Sequence, residues 1–268
     1  MLDSDSTLVL KFGGASVSAP DRFSHIADLI IKKKSRYSRI VVVVSAMGQT
    51  TNQLIELAAQ VNPNPPQREY DMLISVGERI SMSLLAMALC KKQCQAVSFT
   101  GSQSGIVTST EHTNAQIIDV RPHRLVESLK EGKVVIVAGF QGVSLEKEIT
   151  TLGRSGSDIT AVALAVALKA HCVEFYKDVE GVFEQDPKIC PNARYHSRLS
   201  YEEALMIVNQ GARVLHPRSI ELAAKNQLPL FVRSFLHEND QLGTWISGVS
   251  QERPAAPIYE LNLALNAN

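Results

Sequence analysis

The stretch from Thr7 to Ile30, TLVLKFGGASVSAPDRFSHIADLI, decides how this chain folds. A short apolar run, Thr7–Leu10, leads into Lys11. Two glycines, Gly13 and Gly14, and a small-residue loop follow. Phe23, Ile26, Ala27, Ile30 and Ile31 then recur at helical spacing. The pattern is strand, turn, helix. A lysine at the end of a buried strand, just before adjacent glycines, has two readings. One is a phosphate site, because glycines let the backbone approach an anion closely and leave N–H groups to bond its oxygens. The other is an ordinary strand-to-helix turn. GxxxxGK[ST] is absent, so a Walker A motif is excluded.

The same alternation continues outward. Ile40–Val44 is a β-branched run that reads as a central parallel strand covered on both faces. Leu54, Leu57 and Ala58 start a helix, and VNPNPPQ at 61–67 interrupts it. A long helical pattern runs through Ile80–Leu89. Gln95–Phe99 and Val134–Ala138 are further strands. Ser157–Leu168 is an alanine-rich helix, and Val173–Tyr176 is a strand. Ser200 with Glu203 forms a capping box, and Pro217 suits the first turn of a helix. Leu230–Val232 and Thr244–Ile246 close the pattern. The expected fold is α/β, a three-layer sandwich with a mainly parallel central sheet and helices on both faces.

Size and charge narrow the class. With 268 residues and 45% hydrophobic content, the chain can build one large core or two closely packed lobes, with a weak boundary near 150. Formal charge is zero, so neither a nucleic-acid footprint nor a polybasic membrane patch is expected. Lys32, Lys33, Lys34 and Arg36 read as a solvated helix end. No apolar run is expected to reach transmembrane length, and MLDSDST is read as neither signal peptide nor span. Cys90, Cys94, Cys172 and Cys190 lack zinc spacing and read as reduced thiols. No metal ligands are assigned, and the expected location is cytoplasmic.

Three more segments carry unusual residues at strand ends. Ser45–Asn52, with Thr50 and Thr51, suits an anion or carboxylate, or is simply an N-cap. Thr150–Asp158, TTLGRSGSD, is the densest in small polar residues. Its Arg154 can hold a carboxylate by two parallel bonds, and Asp158 also suits a helix N-terminus. Lys177–Lys188 is a charged turn, where Phe183 could lie on a base or where Glu180-Gly181 simply turns a hairpin. Glu78 is a lone acid on an apolar helix, or a cap partner of Ser75. His216 reads as a packed structural histidine. Together these segments suit phosphoryl transfer, which needs positioning and charge compensation. A carboxylate acceptor needs no general base, and the sequence offers no dedicated one.

KFGGASV, VVSAMGQTTNQL, SVGERIS, TTLGRSGSDITAVALA, KDVEGVFEQDPK and GARVLHPRSIELA occur in the order seen in aspartate kinases of the amino-acid kinase superfamily. The resemblance covers roughly residues 7–247. It implies a catalytic domain over 1–250, with an acceptor lobe to about 150 and a nucleotide lobe from 151. It also implies a reaction of ATP and L-aspartate, with Mg²⁺, to 4-phospho-L-aspartate, opening the route to lysine, threonine, methionine and diaminopimelate. By this resemblance Lys11 neutralises charge on the transferring phosphoryl group, and Asp158 orients that lysine and nearby groups. Gly13 and Gly14 contact phosphate. Arg154 clamps a substrate carboxylate beside Ser155, Gly156 and Ser157, Glu78 receives the α-ammonium, and Ser45 and Thr51 line the pocket. Lys177, Asp178, Phe183, Asp186, Lys188, Arg213 and Val214 match the nucleotide-binding segments. A homodimer is implied.

The sequence departs from the commonest pattern at Ala15 (usually Thr), Ser155 (Gly), Lys177 (Thr or Ser) and Arg213 (frequently Lys). Family members generally continue into paired ACT-type regulatory domains. Residues 251–268 therefore resemble a linker and the start of such a region, and no feedback inhibition by lysine or threonine is expected of this chain. Other acceptors within the superfamily, or a ligand-binding regulatory subunit with weak activity, are the competing readings.

Overall fold

The valine run and the strand before Lys11 lie side by side at the centre of one sheet. The computed structural model describes residues 7–185, 189–190, 192–212, 214–236, 242–248 and 252–261. The first half contains β1 (Thr7–Phe12), α1 (Arg22–Lys34), β2 (Arg39–Val44), α2 (Thr50–Val61), α3 (Gln67–Ile74), α4 (Val76–Lys91), β3 (Ala96–Phe99), β4 (Ile106–Thr108), β5 (Ile117–Val120), α5 (His123–Lys130), β6 (Val134–Ala138), β7 (Gln141–Ser144) and β8 (Ile149–Thr151). The second half contains α6 (Gly156–Ala167), β9 (Val173–Lys177), β10 (Val182–Phe183), β11 (Tyr195–His196), β12 (Arg198–Leu199), α7 (Tyr201–Asn209), α8 (Pro217–Lys225), β13 (Leu230–Ser234) and β14 (Thr244–Ile246).

Eight strands form the main sheet in the order β12-β14-β13-β9-β1-β2-β6-β3. Its pairs are parallel except β13 with β14. The expected mainly parallel α/β architecture is therefore present. Side chains alternate across it with period two. Leu8, Leu10, Ile40, Val42, Val44 and Ile136 join α1 and α4 in one core. Val9, Val41, Val43, Val135, Val137, Val173 and Phe175 join α5, α6, α7 and α8 in the other. Lys11 shares parity with Val9, and Lys177 shares parity with Val173 and Phe175. Both lysines therefore end their strands on the α6 face. Strand β1 pairs with β9 directly, so the two halves of the chain meet in mid-sheet.

Several expectations need correction. A second sheet, β5-β4-β7-β8, escaped the sequence reading because its strands are only three or four residues long. Thr150 and Thr151, which open the segment read at a strand end, lie in β8 itself and are fully buried. Lys33 is not solvated: it is buried and pairs with Glu174 at 2.9 Å. Neither Thr50 nor Thr51 caps α2. Thr50 is its first residue, and its hydroxyl donates to Met47 O. Ser75 does not box with Glu78 but donates to Met72 O. Gln67–Lys91, spanning α3 and α4, is long and apolar enough to cross a membrane by length and composition. In this fold Met82, Leu85 and Leu89 of that segment pack into the core against α1 and the sheet.

Other local readings hold. Ser200 and Glu203 form the reciprocal capping box of α7. Pro217 opens α8, and His216 caps it by accepting from Arg218 N at 3.3 Å. The four cysteines are free thiols.

Candidate active site

A cleft of about 750 Å³ opens at the C-terminal ends of β1, β2 and β9, where an open parallel sheet places its ligands. Its base is a buried charge triad. Asp158, in the first turn of α6, receives Lys11 Nζ at 2.6 Å on one oxygen and Lys177 Nζ at 3.2 Å on the other. Strand parity brings the two lysines to α6, and the helix brings the acid to them. Burial by itself raises the Asp158 pKa, but the two ammonium groups outweigh it and hold the carboxyl below its usual range. Burial pulls Lys177 down to about 8, with Asp158 acting against that trend. Two cations on one anion leave a net positive charge facing the cleft, which favours a phosphate there.

Close backbone approach shapes the walls. A Cβ on Gly139, just after β6, would lie 2.4 Å from Ser157 Cβ, so only glycine lets the N-terminus of α6 sit over the sheet. Ser157 Oγ then meets Ser45 Oγ at 2.8 Å, joining the loop after β2 to the first turn of α6. A Cβ on Gly77 would lie 2.8 Å from Ala46 Cβ. That contact lets α4 bring Glu78 against the Ser45–Ala46 loop, where Glu78 Oε1 accepts from Ala46 N at 3.1 Å. The other oxygen, Oε2, has no hydrogen-bond partner in the described structure. Glu78 is 4% exposed, and burial raises its pKa to about 7. A buried acid with one oxygen unsatisfied is the natural counter-group for a cationic ligand.

Ser155 caps α6 in the left-handed region, with φ +57°. That geometry explains why glycine suits this position. Arg154 is exposed at the rim.

The cleft gathers Lys11, Gly13, Gly14, Ser45, Thr51, Glu78, Arg154, Ser155, Gly156, Ser157, Asp158, Lys177 and Asp178 in its lining. Phe183 and Val214 are not among its lining residues. Phe183 instead meets Tyr195 edge-on at 5.4 Å, and Val214 packs beside the α6-side core. Asp186, Lys188 and Arg213 lie outside the described residues. The sequence reading missed Tyr70, Thr113 and Tyr176, which line the cleft, and Asp71, which supports it. Asp71 is fully buried and accepts from Thr151 N, Thr151 Oγ1 and Thr113 N at 3.1, 2.6 and 3.0 Å. Helical periodicity carried a signal for it. Asp71, Ile74, Glu78, Met82, Leu85 and Leu89 follow at intervals of three or four, which puts two acids on a buried face.

The amino acid kinase family matches residues 6–234. An aspartokinase of Mycolicibacterium smegmatis is 50% identical over 248 residues, which are 92% of this chain and 58% of that protein. Aspartate kinase from Synechocystis superposes with a TM-score of 0.81 at 42% identity, over 96% of this chain and 42% of its own. E. coli aspartokinase III, solved in complex with aspartate and ADP, superposes with a TM-score of 0.82 at 28% identity, over 91% of this chain and 65% of its own. The chain spans a little under three-fifths of the length of the curated relatives it matches.

Proposed function

Because the chain belongs to the amino acid kinase family, we propose that it transfers the γ-phosphoryl group of ATP to the side-chain carboxylate of L-aspartate. The products are 4-phospho-L-aspartate and ADP. The observation that carries this reading is the pair of lysines on one buried carboxylate at the mouth of α6. Phosphoryl transfer is catalysed by charge placed where the transferring group develops it, more than by covalent chemistry from the protein. The aspartate and ADP held by E. coli aspartokinase III support both ligand classes.

In this reading Lys11 and Lys177 face the transferring oxygens, and Asp158 fixes their ammonium groups apart and aligned. Gly13, Gly14 and Ser157, at the start of α6, offer backbone N–H groups to the phosphates. The acceptor carboxylate attacks as it stands, already ionised at neutral pH. Glu78 takes the α-ammonium and Arg154 the α-carboxylate, with Ser45, Thr51 and Ser157 between them. The acceptor side, mostly from residues up to about 150, is completed by Arg154 and Ser157, and the nucleotide side, mostly from 151 on, by Lys11, Gly13 and Gly14, all within one domain. Mg²⁺ would be held mostly by phosphate oxygens with one or two carboxylates, and Asp178 at the rim would supply one. Bound there, the ion would neutralise phosphate charge. The reading also makes the protein a cytoplasmic homodimer at the entry to lysine, threonine, methionine and diaminopimelate synthesis.

The test is ADP release from Mg-ATP with L-aspartate, L-glutamate or N-acetyl-L-glutamate, in the wild type and in Lys11→Met. Aspartate is expected to be the preferred acceptor, and the substitution to lower kcat by roughly 10²–10³-fold. Equal turnover of the variant would remove Lys11 from the chemistry. Preference for another acid would move the acceptor assignment.

A further inference from the structure

The segment Ile258–Leu261 is tied into the fold at several points. Asn226 brackets Ile258 with two bonds, accepting from its N–H at 2.9 Å and donating to its carbonyl at 2.7 Å. Glu260 N and Leu261 N both donate to Ile117 O, so the segment lies along β5. Glu260 is then gripped by Arg218 in a two-bond fork: Nε to Oε1 at 2.6 Å and Nη2 to Oε2 at 3.0 Å. Oε2 also accepts from Ile117 N at 2.8 Å.

Arg218 does not end there. Its remaining N–H groups go to Leu152 O at 2.8 Å, Asn114 Oδ1 at 3.2 Å and Ala115 O at 2.8 Å. Those bonds, with the two to Glu260, account for all five donors of a guanidinium. Leu152 directly precedes Gly153, Arg154 and Ser155, the loop at the cleft rim. The same stretch is held from the other side by Asp71, through Thr151 and Thr113. Arg218 itself sits in the first turn of α8, where a cation opposes the helix dipole and no acidic residue of that turn offsets it, so that Glu260 is its counter-charge. Its position is costly for the helix and is explained by the clamp.

We propose that Glu260, acting through Arg218, is a positioning residue for the Leu152–Ser155 loop, so that acceptor binding depends on the docked segment Ile258–Leu261. The inference rests on the reading of Arg154 as a clamp for the acceptor's carboxylate. Without Glu260 the guanidinium keeps its carbonyl partners but loses the charge that fixes its plane, and the loop end gains freedom. A force or ligand that lifts the segment would act on acceptor affinity by the same path, leaving Lys11, Lys177 and Asp158 in place.

The experiment compares the wild type with Glu260→Ala, Glu260→Gln and Arg218→Lys. It reads KM for aspartate, KM for ATP, kcat, melting temperature, and amide hydrogen exchange of peptides covering 152–156. Glu260→Gln serves should the alanine variant fold poorly. The expected result is a rise of roughly tenfold in aspartate KM, with ATP KM within about twofold and faster exchange over 152–156. In an Arg154→Ala background, Glu260→Ala is expected to add no further rise, because both act through one group. A lowered melting temperature with unchanged aspartate KM and unchanged exchange would reduce Glu260 to a structural strut and overturn the proposal, as would full additivity with Arg154→Ala. Faster loop exchange in an enzyme that does not turn over aspartate would sustain the clamp and refute the acceptor assignment instead.

Discussion

Ser155 shows how one residue can carry both a conformational cost and a place in the site. Its φ of +57° is a conformation that an L-residue adopts at a cost of ~1–2 kcal/mol, whereas glycine adopts it freely. Glycine also gains entropy in the unfolded chain, so part of the relief is returned. Ser155→Gly should therefore stabilise the fold by ~0.5–1 kcal/mol and raise Tm by about 1–4 °C. A thermal melt decides it, and a lower Tm would show that the hydroxyl contributes more than the strain costs. Glu78 supplies a second residue-scale test. Its folded pKa of about 7 lies above the ordinary 4.5, so between those values the native state binds more protons than the unfolded one. Stability from this group therefore falls as pH rises through that window and levels off above 7. Glu78→Gln, neutral throughout, should compare better with the wild type at pH 8 than at pH 4.5 in Tm, while aspartate KM rises. A Tm difference that does not vary with pH would refute the buried, raised carboxyl. Lys11 near the end of β1 and Asp158 in the first turn of α6 stood out in the sequence by position, but their shared role came from the family resemblance, because nothing local shows that the two side chains meet. Asp71 did not stand out, because a buried acid inside a helix looks like a surface one until the face it shares with Ile74 is noticed.

At the scale of elements, parity does most of the work. Period-two alternation sends Val9 and Lys11 to the α6 face, and Leu8 and Leu10 to the face of α1 and α4. The sequence shows these strands as continuous apolar, β-branched runs, as strands buried on both faces do, and with them all of the main sheet but the two-residue β12. The second sheet could not be read in this way, because strands such as Ile149–Thr151 have too few residues for any period to show, and their burial comes from tertiary contact. Lys33 was misread for a related reason: its partner Glu174 is 141 positions away. The approach of α6 to the sheet through Gly139 yields a sharp prediction. Gly139→Ala places a methyl group 2.4 Å from Ser157 Cβ and 2.9 Å from its Cα, so α6 must shift or the sheet must give. The expected cost is ~1–3 kcal/mol by denaturant titration, with kcat lowered as Asp158 moves from the lysines. Loss of stability with full activity would show that the shift is absorbed elsewhere.

At the scale of the molecule, the cleft lies on the seam where β1 and β9 join the two halves of the chain into one sheet. One lysine of the triad comes from each half, and the shared acid comes from the helix between them. Phosphoryl transfer in this geometry needs both halves held in register, which a continuous eight-stranded sheet provides. The measurement that tests this most directly is trapping of the product. The protein is incubated with Mg-ATP, L-aspartate and hydroxylamine, and ADP and hydroxamate are quantified together. Aspartyl hydroxamate formed in step with ADP, and absent when aspartate is omitted, is the expected result. ADP released without hydroxamate, or hydroxamate formed only from a different acid, would contradict the assignment of the side-chain carboxylate of aspartate as the acceptor.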